Sequence, residues 1–349
     1  GFSFGPTRPL PYRYILVDEP SMLDCSLAAS LFSACSPGTH VLLTGDPNQL
    51  PPVGAGAPLR DFIAAGLPCG TLTEIKRNSG TITETCRAIR EGRKAIPDAR
   101  IDISSGKNWL HLEKHRAALA MEAIKSTLLQ LPTSVEPIWD CQILCAINEK
   151  GEVSRKELNS NIQGVLNPHG KSVGGKFRIG DKVICGTNVL LEIANHGGAG
   201  TAGRGNPREF AHETSADNPK EFVANGEIGR VVAQHFDHRN QPKGFLVKFD
   251  APARTVVSTQ TGEACVFDLA YAITIHKAQG SQARIVIIAI DDAANHMGSR
   301  ELHYTAISRA EQMVITVGKL ETLHRQCRRS ELAGRKTFMA EGLKGKVQP

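Results

Sequence analysis

Two short apolar runs, each followed at once by acidic or polar residues, constrain the fold of this chain most. The first run, YILV at residues 14–17, ends in Asp18 and Glu19. The second run, VLL at residues 41–43, opens into TGDPNQLPPVGAG at residues 44–56. An apolar run that ends in turn residues is typical of a buried strand in a parallel sheet. Because ligands of open α/β sheets bind at the carboxyl ends of such strands, the two strand ends predict a ligand site.

The segment between the two runs predicts how they are connected. SLAASLFSAC at residues 26–35 places its apolar residues at helical spacing. A strand, a helix and a second strand of this kind form a β-α-β unit with a right-handed crossover. We therefore expect an α/β fold.

Asp18 and Glu19 are the first candidates for chemistry. An apolar strand that ends in Asp-Glu fits the Walker B pattern, in which the first carboxylate holds Mg²⁺ through water. The second carboxylate can polarise a water that attacks a γ-phosphate. A bare Asp-Glu pair is more often two solvated acids at a strand end, but the polar loop at 44–56 favours the nucleotide interpretation.

Composition excludes several classes of protein. The chain has 349 residues, which is long for one domain, and a net charge of +6, which is compatible with a polyanion partner. Nine cysteines without a repeating framework indicate a reducing compartment. No apolar run reaches the ~18 residues of a membrane span. We expect a cytoplasmic protein without a membrane partner and, because it begins at Gly1, a fragment or processed piece.

Two later segments carry further candidates. Residues 270–282 read AYAITIHKAQGSQ, in which HKAQG predicts an amphipathic helix with a glycine cap. Residues 302–318 read LHYTAISRAEQMVITVG, which predicts a short helix, Arg309 and then a strand. A guanidinium offers a rigid fork for phosphate oxygens. Tyr304 on the helix could stack on bases or pack in the core, and the core is the favoured prediction.

Together these segments resemble motifs II to VI of the superfamily 1 helicases, in the RecD-like branch. The matching stretches are DEPSMLD at 18–24 for motif II, TGDPNQLPPVGAGAPL at 44–59 for motif III, Arg77 in IKRN for motif IV, and residues 270–282 and 302–318 for motifs V and VI. An LN…LNP segment at residues 158–168 is also similar to this branch. The resemblance extends over about residues 14–318 and depends on the order of the motifs.

The resemblance implies two RecA-like parallel-sheet domains, the first truncated at its N-terminus, and a small β-barrel inserted in the second. Short strands between Gly, Asp and Asn turns at residues 177–258 are compatible with such a barrel. The implied parts are 1–97 for the end of the first domain, 98–175 and 266–325 for the second, 176–265 for the barrel with a flexible loop at 195–220, and 326–349 for a basic tail.

The resemblance also implies roles for individual residues. The catalytic set would be Asp18, Glu19, Gln49, Arg77 and Arg309, with Gln49 sensing the γ-phosphate. The same residues would bind ATP together with Gly45, Asp46, Gln279 and Gly280, and Asp18 would hold Mg²⁺ through water. Contacts to nucleic acid would come from Pro51, Thr274, His276 and Ser281. Pro20, Asn78 and Gln282 depart from the family pattern, and no role is assigned to them.

One further match is interpreted as a decoy. GKSVGGK at residues 170–176 fits the phosphate-loop pattern, but Phe177 follows where Ser or Thr is required. No proper strand precedes it, and a phosphate loop needs a helix N-terminus behind it. We expect the true phosphate loop to lie upstream of Gly1.

The predicted function is that of an ATP-dependent DNA helicase, 5′→3′ by resemblance, acting on single-stranded DNA or a junction. Other repair or recombination subunits are possible partners. A non-catalytic nucleic-acid-binding fragment, a viral-type RNA helicase and the helicase domain of a conjugative relaxase remain alternatives. DNA is preferred over RNA by kinship alone.

Overall fold

The computed structural model describes residues 2–73, 79–194, 219–237, 239–260 and 262–344. The chain divides into two compact units. The first unit comprises Gly1–Ala120, Leu144–Ala146 and Thr274–Pro349, and the second comprises Met121–Ile143 and Ile147–Ile273. This division does not follow the predicted domain limits, which remain predictions.

The helices and strands are numbered along the described chain. The helices are α1 Cys25–Ser33, α2 Pro58–Ala64, α3 Gly80–Arg90, α4 Ala117–Leu129, α5 Arg155–Leu166, α6 Arg300–Ile307, α7 Leu320–Cys327, α8 Glu331–Gly334 and α9 Met339–Lys344. The strands are β1 Tyr14–Asp18, β2 His40–Thr44, β3 Trp109–Glu113, β4 Cys141–Cys145, β5 Ser172–Gly174, β6 Phe177–Arg178, β7 Lys182–Cys185, β8 Val189–Glu192, β9 Lys220–Val223, β10 Ile228–Phe236, β11 Pro242–Asp250, β12 Ala253–Ser258, β13 Phe267–Leu269, β14 Ala272–Thr274, β15 Ala283–Ala289 and β16 Ala310–Gly318. Short 3-10 turns connect some of them.

The predicted β-α-β unit is confirmed in the first compact unit. Strands β1 and β2 pair in parallel, with Asp18 opposite Thr44 at their carboxyl ends. Helix α1 lies between them in the chain, and the Asp24 carboxylate caps it by accepting from Leu27 N at 2.7 Å. The prediction that these strands are buried is wrong. Their residues alternate between half-buried and exposed, because in the described residues only one face of this two-stranded sheet is covered.

A second parallel sheet supplies the main core. Its strand order is β14-β4-β15-β16-β3, and β15, β16 and β3 pair in parallel. Residues 285–289 of β15 and 313–318 of β16 are buried and mostly apolar, as a sheet covered on both faces requires. The indole nitrogen of buried Trp109 donates to Thr316 Oγ1 at 3.0 Å. The predicted α/β class with parallel sheets is confirmed.

The second unit is built on an antiparallel sheet. Its order is β12-β11-β10-β7-β13, with a core of phenylalanines on β6, β11 and β13. No strand pairing closes this sheet within the described ranges, so the barrel stays a prediction. The predicted loop at 195–220 falls outside the described residues except for its last two positions.

The rejection of residues 170–176 as a phosphate loop is confirmed. Strands β5 and β6 form a small antiparallel hairpin there, and strand β7 comes next instead of a helix. A hairpin does not converge its backbone N–H groups as a helix N-terminus does.

The LN…LNP segment fixes the backbone of the second unit. Asn159, 3% exposed on α5, donates through Nδ2 to Ala272 O at 2.8 Å and accepts at Oδ1 from Ala272 N at 3.0 Å. Asn167 donates through Nδ2 to the fully buried Asp181 at 2.7 Å, which also accepts from the Tyr271 hydroxyl at 2.8 Å. Both asparagines therefore hold the chain that leads into β14.

Buried His303 on α6 makes the stability of the first unit depend on pH. Gln326 uses its NH₂ group on Asp291 O and Asn295 Oδ1, so its Oε1 accepts from His303 Nε2 at 2.7 Å. The other ring nitrogen is buried without a partner in the described residues. Burial lowers the pKa of His303 from 6.5 to about 4, although the bond to Gln326 opposes this shift.

The folded protein should therefore lose stability as the pH falls. Between pH 6.5 and about 4 the unfolded chain takes up a proton at His303 that the folded chain excludes. The free energy of unfolding should then fall by about 1.4 kcal/mol per pH unit from this group. Urea unfolding of wild type and His303→Gln across this range measures the effect. The variant should show the shallower pH dependence, and equal slopes would contradict the account.

Candidate functional site

The acidic pair lies at the carboxyl end of β1. Asp18 is exposed, and its Oδ1 accepts from Thr44 Oγ1 at 3.2 Å and from Glu19 N at 3.1 Å. Glu19 adopts a left-handed backbone conformation, with φ 50° and ψ 48°. Such backbone strain is of order 1–3 kcal/mol and is concentrated at functional sites. Oε2 of Glu19 is buried and has no hydrogen-bond partner in the described residues.

The ends of β1 and β2 approach each other through Pro20 and Gly45. A Cβ atom on Gly45 would lie 2.5 Å from Cδ of Pro20, so any side chain at Gly45 would collide with the proline ring. Pro20, the departure from the family pattern, therefore fits because its neighbour is glycine. This close approach brings the acidic pair beside the loop that follows β2.

The loop after β2 holds Gln49 in a buried position. Asp46 Oδ1 accepts from the backbone N and from Nδ2 of Asn48, both at 2.9 Å, which closes the turn. Gln49 is 7% exposed, and its Oε1 has no partner in the described part of the chain. It lines a small cavity together with Ser21 and Pro51. The hydroxyl of Ser21 is likewise buried and unpartnered there.

Helix α6 attaches to this loop at two points. Ser299 caps the helix by accepting from Leu302 N at 3.1 Å. The Tyr304 hydroxyl donates to Asp46 Oδ2 at 2.5 Å, and Leu50 N donates to Thr305 Oγ1 at 2.8 Å. Burial and the Asp46 carboxylate together raise the pKa of Tyr304 above its usual range, so the hydroxyl keeps its proton.

Sequence reasoning missed the roles of Tyr304 and Thr305. Tyr304 was predicted to pack in the core, and Thr305 received no role. Thr305 is 0% exposed, and a buried hydroxyl needs a hydrogen-bond partner. Its partner, Leu50, lies far away in the sequence and could not be read from the chain.

Arg309 follows α6 and is 2% exposed. Its guanidinium donates from Nε to Thr305 O at 3.2 Å, from Nη1 to Ser281 O at 3.3 Å and from Nη2 to Ser308 Oγ at 3.3 Å. Burial raises the pKa of the Cys86 thiol to about 12, with Asp46 adding to the rise and Arg309 opposing it. Cys86 therefore lies close enough to feel the charges of both Asp46 and Arg309.

The segment after β14 differs from its prediction. Residues 275–280 form consecutive turns, so the expected helix at HKAQG is wrong. The stretch between β14 and β15 is short, and Gly280 has φ +77°, which ends any helical run. Gln279 Nε2 donates to Leu50 O at 3.1 Å, and a Cβ on Gly280 would lie 4.0 Å from Glu19 Cγ.

The predicted nucleic-acid residues make mostly local contacts. Thr274 Oγ1 accepts from Lys277 N at 3.4 Å, and the Ser281 hydroxyl donates to Ala278 O at 2.8 Å. His276 is half-buried, and burial lowers its pKa while the charge of Glu331 opposes the shift.

The structure thus brings most of the predicted nucleotide-binding residues together in the first unit. These residues contact one another directly or share Leu50, Thr305 or Ser281 as a hydrogen-bond partner. They are Asp18, Glu19, Gly45, Asp46, Gln49, Gln279, Gly280 and Arg309. Arg77 falls outside the described residues.

The residues present fit ATP with magnesium. The buried oxygens of Glu19 and Gln49 have no protein partner in the described chain, as expected of groups that face a polar ligand. No cluster of three or more His, Cys, Asp or Glu suited to a metal occurs within the described ranges. Mg²⁺ is usually bound by one or two carboxylates, phosphate oxygens and water, and Asp18 would supply the carboxylate.

Tyr304→Phe tests the attachment of α6 to the loop. The change keeps the packing of the ring and removes one hydrogen bond to a carboxylate, so the free energy of unfolding should fall by about 1.5 kcal/mol. Urea unfolding of the variant beside Tyr12→Phe, a change at a tyrosine that is 61% exposed, measures this loss. Equal stability of the two variants would contradict the attachment.

The chain is similar in sequence to proteins that are named as helicases. Residues 8–115 match the family described as AAA domain, and residues 269–317 match the UvrD-like helicase C-terminal domain. The ATP-dependent RecD2 DNA helicase of Deinococcus radiodurans is 30% identical over 91% of this chain and 38% of its own length. The RecBCD enzyme subunit RecD of Mycolicibacterium smegmatis is 28% identical over 88% of this chain and 50% of its own length.

The chain therefore spans half or less of the length of these two relatives. A solved structure of Pif1 helicases at forked DNA aligns with 98% of this chain and over 82% of its own chain, at 16% identity and a TM-score of 0.49. No described helix is both long and apolar enough to cross a bilayer. From its ordered motifs and these sequence matches, the chain belongs to the RecD-like branch of the superfamily 1 helicases.

Proposed function

We propose that the chain carries the motor site of an ATP-dependent DNA helicase, which couples ATP hydrolysis to movement on single-stranded DNA. The observation that supports this most is the pair of buried, unpartnered oxygens on Glu19 and Gln49. They belong to the loops that follow two adjacent parallel strands, where open α/β sheets bind ligands. The two relatives described above are named as RecD proteins, and the first is named a DNA helicase.

Each residue of the site would have a distinct role in hydrolysis. Asp18 would hold Mg²⁺ through water, and this ion would neutralise charge on the phosphates. Glu19 would accept a proton from the attacking water, and Gln49 would orient that water against the γ-phosphate. Arg309, already oriented by three acceptors, would stabilise the charge that develops on the leaving phosphate.

The same contacts offer a route from hydrolysis to movement. Loss of the γ-phosphate would change the position of Gln49, and the loop that carries Gln49 is bonded to α6 through Tyr304 and Thr305. A shift of this loop would therefore act on α6. Order changes around a γ-phosphate are a common switch in nucleotide hydrolases.

The remaining predicted details are part of the proposal. Arg77 would contact the phosphates, and Pro51, Thr274, His276 and Ser281 would face the nucleic acid. Movement would run 5′→3′ by family resemblance. The name of the second relative, a RecBCD subunit, supports further recombination subunits as partners.

Two substitutions test the assigned chemistry in the natural full-length protein. Glu19→Gln removes the proton acceptor and should lower kcat of DNA-stimulated ATP hydrolysis by about 10²-fold or more. Arg309→Ala removes charge stabilisation and should lower kcat by about 10³-fold. Steady-state phosphate release measures both, with Glu91→Gln and Arg116→Ala as exposed controls. Undiminished turnover in either site variant would refute its role.

The choice of DNA over RNA is tested separately. Single-stranded DNA should stimulate ATP hydrolysis more than RNA of the same base sequence, because the first relative is named a DNA helicase. Stimulation curves with matched oligonucleotides give the comparison. Equal or stronger stimulation by RNA would favour the RNA helicase alternative.

A second candidate function is nucleic-acid binding with little ATP hydrolysis by residues 1–349 alone. It is favoured by the fold of residues 170–176, because Lys176 lies in the turn of a hairpin and not on a phosphate loop. Robust turnover by residues 1–349 in isolation would exclude this candidate.

A further inference from the structure

The stretch Ser330 to Phe338, here called the C-terminal strap, packs against the loop that follows Gln49. The sequence analysis predicts only a basic tail for residues 326–349, which include this stretch. The structure instead has the four-residue helix α8 followed by extended residues, and the side chain of Arg335 is 18% exposed. An arginine that is mostly covered on an otherwise polar tail indicates a specific contact.

Arg335 donates hydrogen bonds to two backbone carbonyls of the loop. Its Nη1 donates to Gly54 O at 2.7 Å and to Gly56 O at 2.9 Å. Its Nη2 donates to Glu331 Oε1 at 2.8 Å, which orients the guanidinium from within the strap. A planar guanidinium can hold both groups at once, whereas an ammonium on a flexible stem lacks that fixed geometry.

Helix α2 holds the strap from the other side. Arg60 Nη1 donates to Leu332 O at 2.6 Å and to Arg335 O at 2.9 Å. The Thr337 hydroxyl donates to Asp61, which is 2% exposed, at 2.5 Å. Backbone carbonyls of the strap are therefore bonded to α2 while the Arg335 side chain bonds to the loop.

The two glycines are required where the loop meets α1. A Cβ on Gly54 would lie 2.0 Å from Asp24 Oδ2, and one on Gly56 would lie 2.1 Å from Cys25 Sγ. Cys25 N donates to Ala55 O at 2.9 Å. Residues 54–56 are thus enclosed between the start of α1 and the guanidinium of Arg335.

The other end of the strap is attached to α6. Buried Glu301 accepts from the Ser330 hydroxyl at 2.6 Å and from Glu331 N at 2.9 Å. Leu332 lines the same cavity as Gln49. The loop that carries Gln49 is therefore held near its start by Tyr304 and at its end by Arg335.

We propose that Arg335 is a positioning residue that keeps the loop, and with it the Gln49 amide, at the site of the γ-phosphate. The positioning role depends on the proposed function. The clamp, by which we mean the two hydrogen bonds from Arg335 to Gly54 O and Gly56 O, does not. Without Arg335 the carbonyls of Gly54 and Gly56 lose their donor, and the loop gains freedom at its end. The affinity for ATP should then change less than the rate of the hydrolysis step, which needs Gln49.

Hydrogen exchange tests the clamp without nucleotide. In Arg335→Ala the amides of Leu50 and Cys25, which donate to Thr305 Oγ1 and Ala55 O, should exchange about tenfold faster than in wild type. Arg335→Lys, which keeps the charge but not the fork, should show the same change to a smaller degree. Arg116→Ala, at an exposed arginine of the same unit, should leave both amides unchanged. Unchanged exchange in both Arg335 variants would overturn the clamp.

ATP hydrolysis in the natural full-length protein tests the positioning role. Arg335→Ala should lower kcat at least tenfold, while KM for ATP should change less than threefold. A general loss of folding would instead lower the active fraction and shift the unfolding midpoint, which urea unfolding detects. Faster loop exchange with unchanged kcat would overturn the positioning role. Faster exchange in a protein whose wild type lacks ATP hydrolysis would refute the proposed function and leave the clamp supported.

Discussion

Two hydrogen bonds between α6 and the loop after β2 organise the first unit. The Tyr304 hydroxyl donates to Asp46, and Leu50 N donates to Thr305 Oγ1. These bonds join parts of the chain that are distant in sequence, and they place Gln49 between two fixed points. Arg309 follows α6 directly, so the position of its guanidinium depends on the same helix. If α6 moved, the loop and the arginine would move with it.

The site contains groups that folding alone does not explain. A buried polar atom without a partner costs about 1–3 kcal/mol, and both Glu19 and Gln49 present one in the described residues. Glu19 adds the strain of a left-handed backbone. The surrounding structure maintains this arrangement through the contact of Pro20 with Gly45 and the bonds of α6. Uncompensated polar groups and strain at adjacent strand ends are the expected properties of a site built for a charged ligand.

Local sequence patterns predict the parallel strands of the site, but they do not predict its contacts between distant segments. The apolar runs ending in Asp18 and in Gly45-Asp46 predicted the parallel strands, because strand, turn and helix signals act over a few residues. The helix predicted at HKAQG, residues 276–280, is absent because its pattern is too short to override the turn that ends at Gly280. The contact of Arg335 with residues 54–56 depends on chain segments far apart in sequence, and a basic tail carries no local sign of its partner. Arg77 remains a sequence prediction.

The central claim is that Glu19 and Gln49 face the γ-phosphate. A crystal structure of the natural full-length protein with Mg²⁺ and a non-hydrolysable ATP analogue tests it most directly. The account predicts Gln49 Nε2 about 3 Å from a γ-phosphate oxygen or from a water beside it, and the Glu19 carboxylate about 3 Å from that water. A bound nucleotide whose γ-phosphate lies away from both side chains would contradict the account.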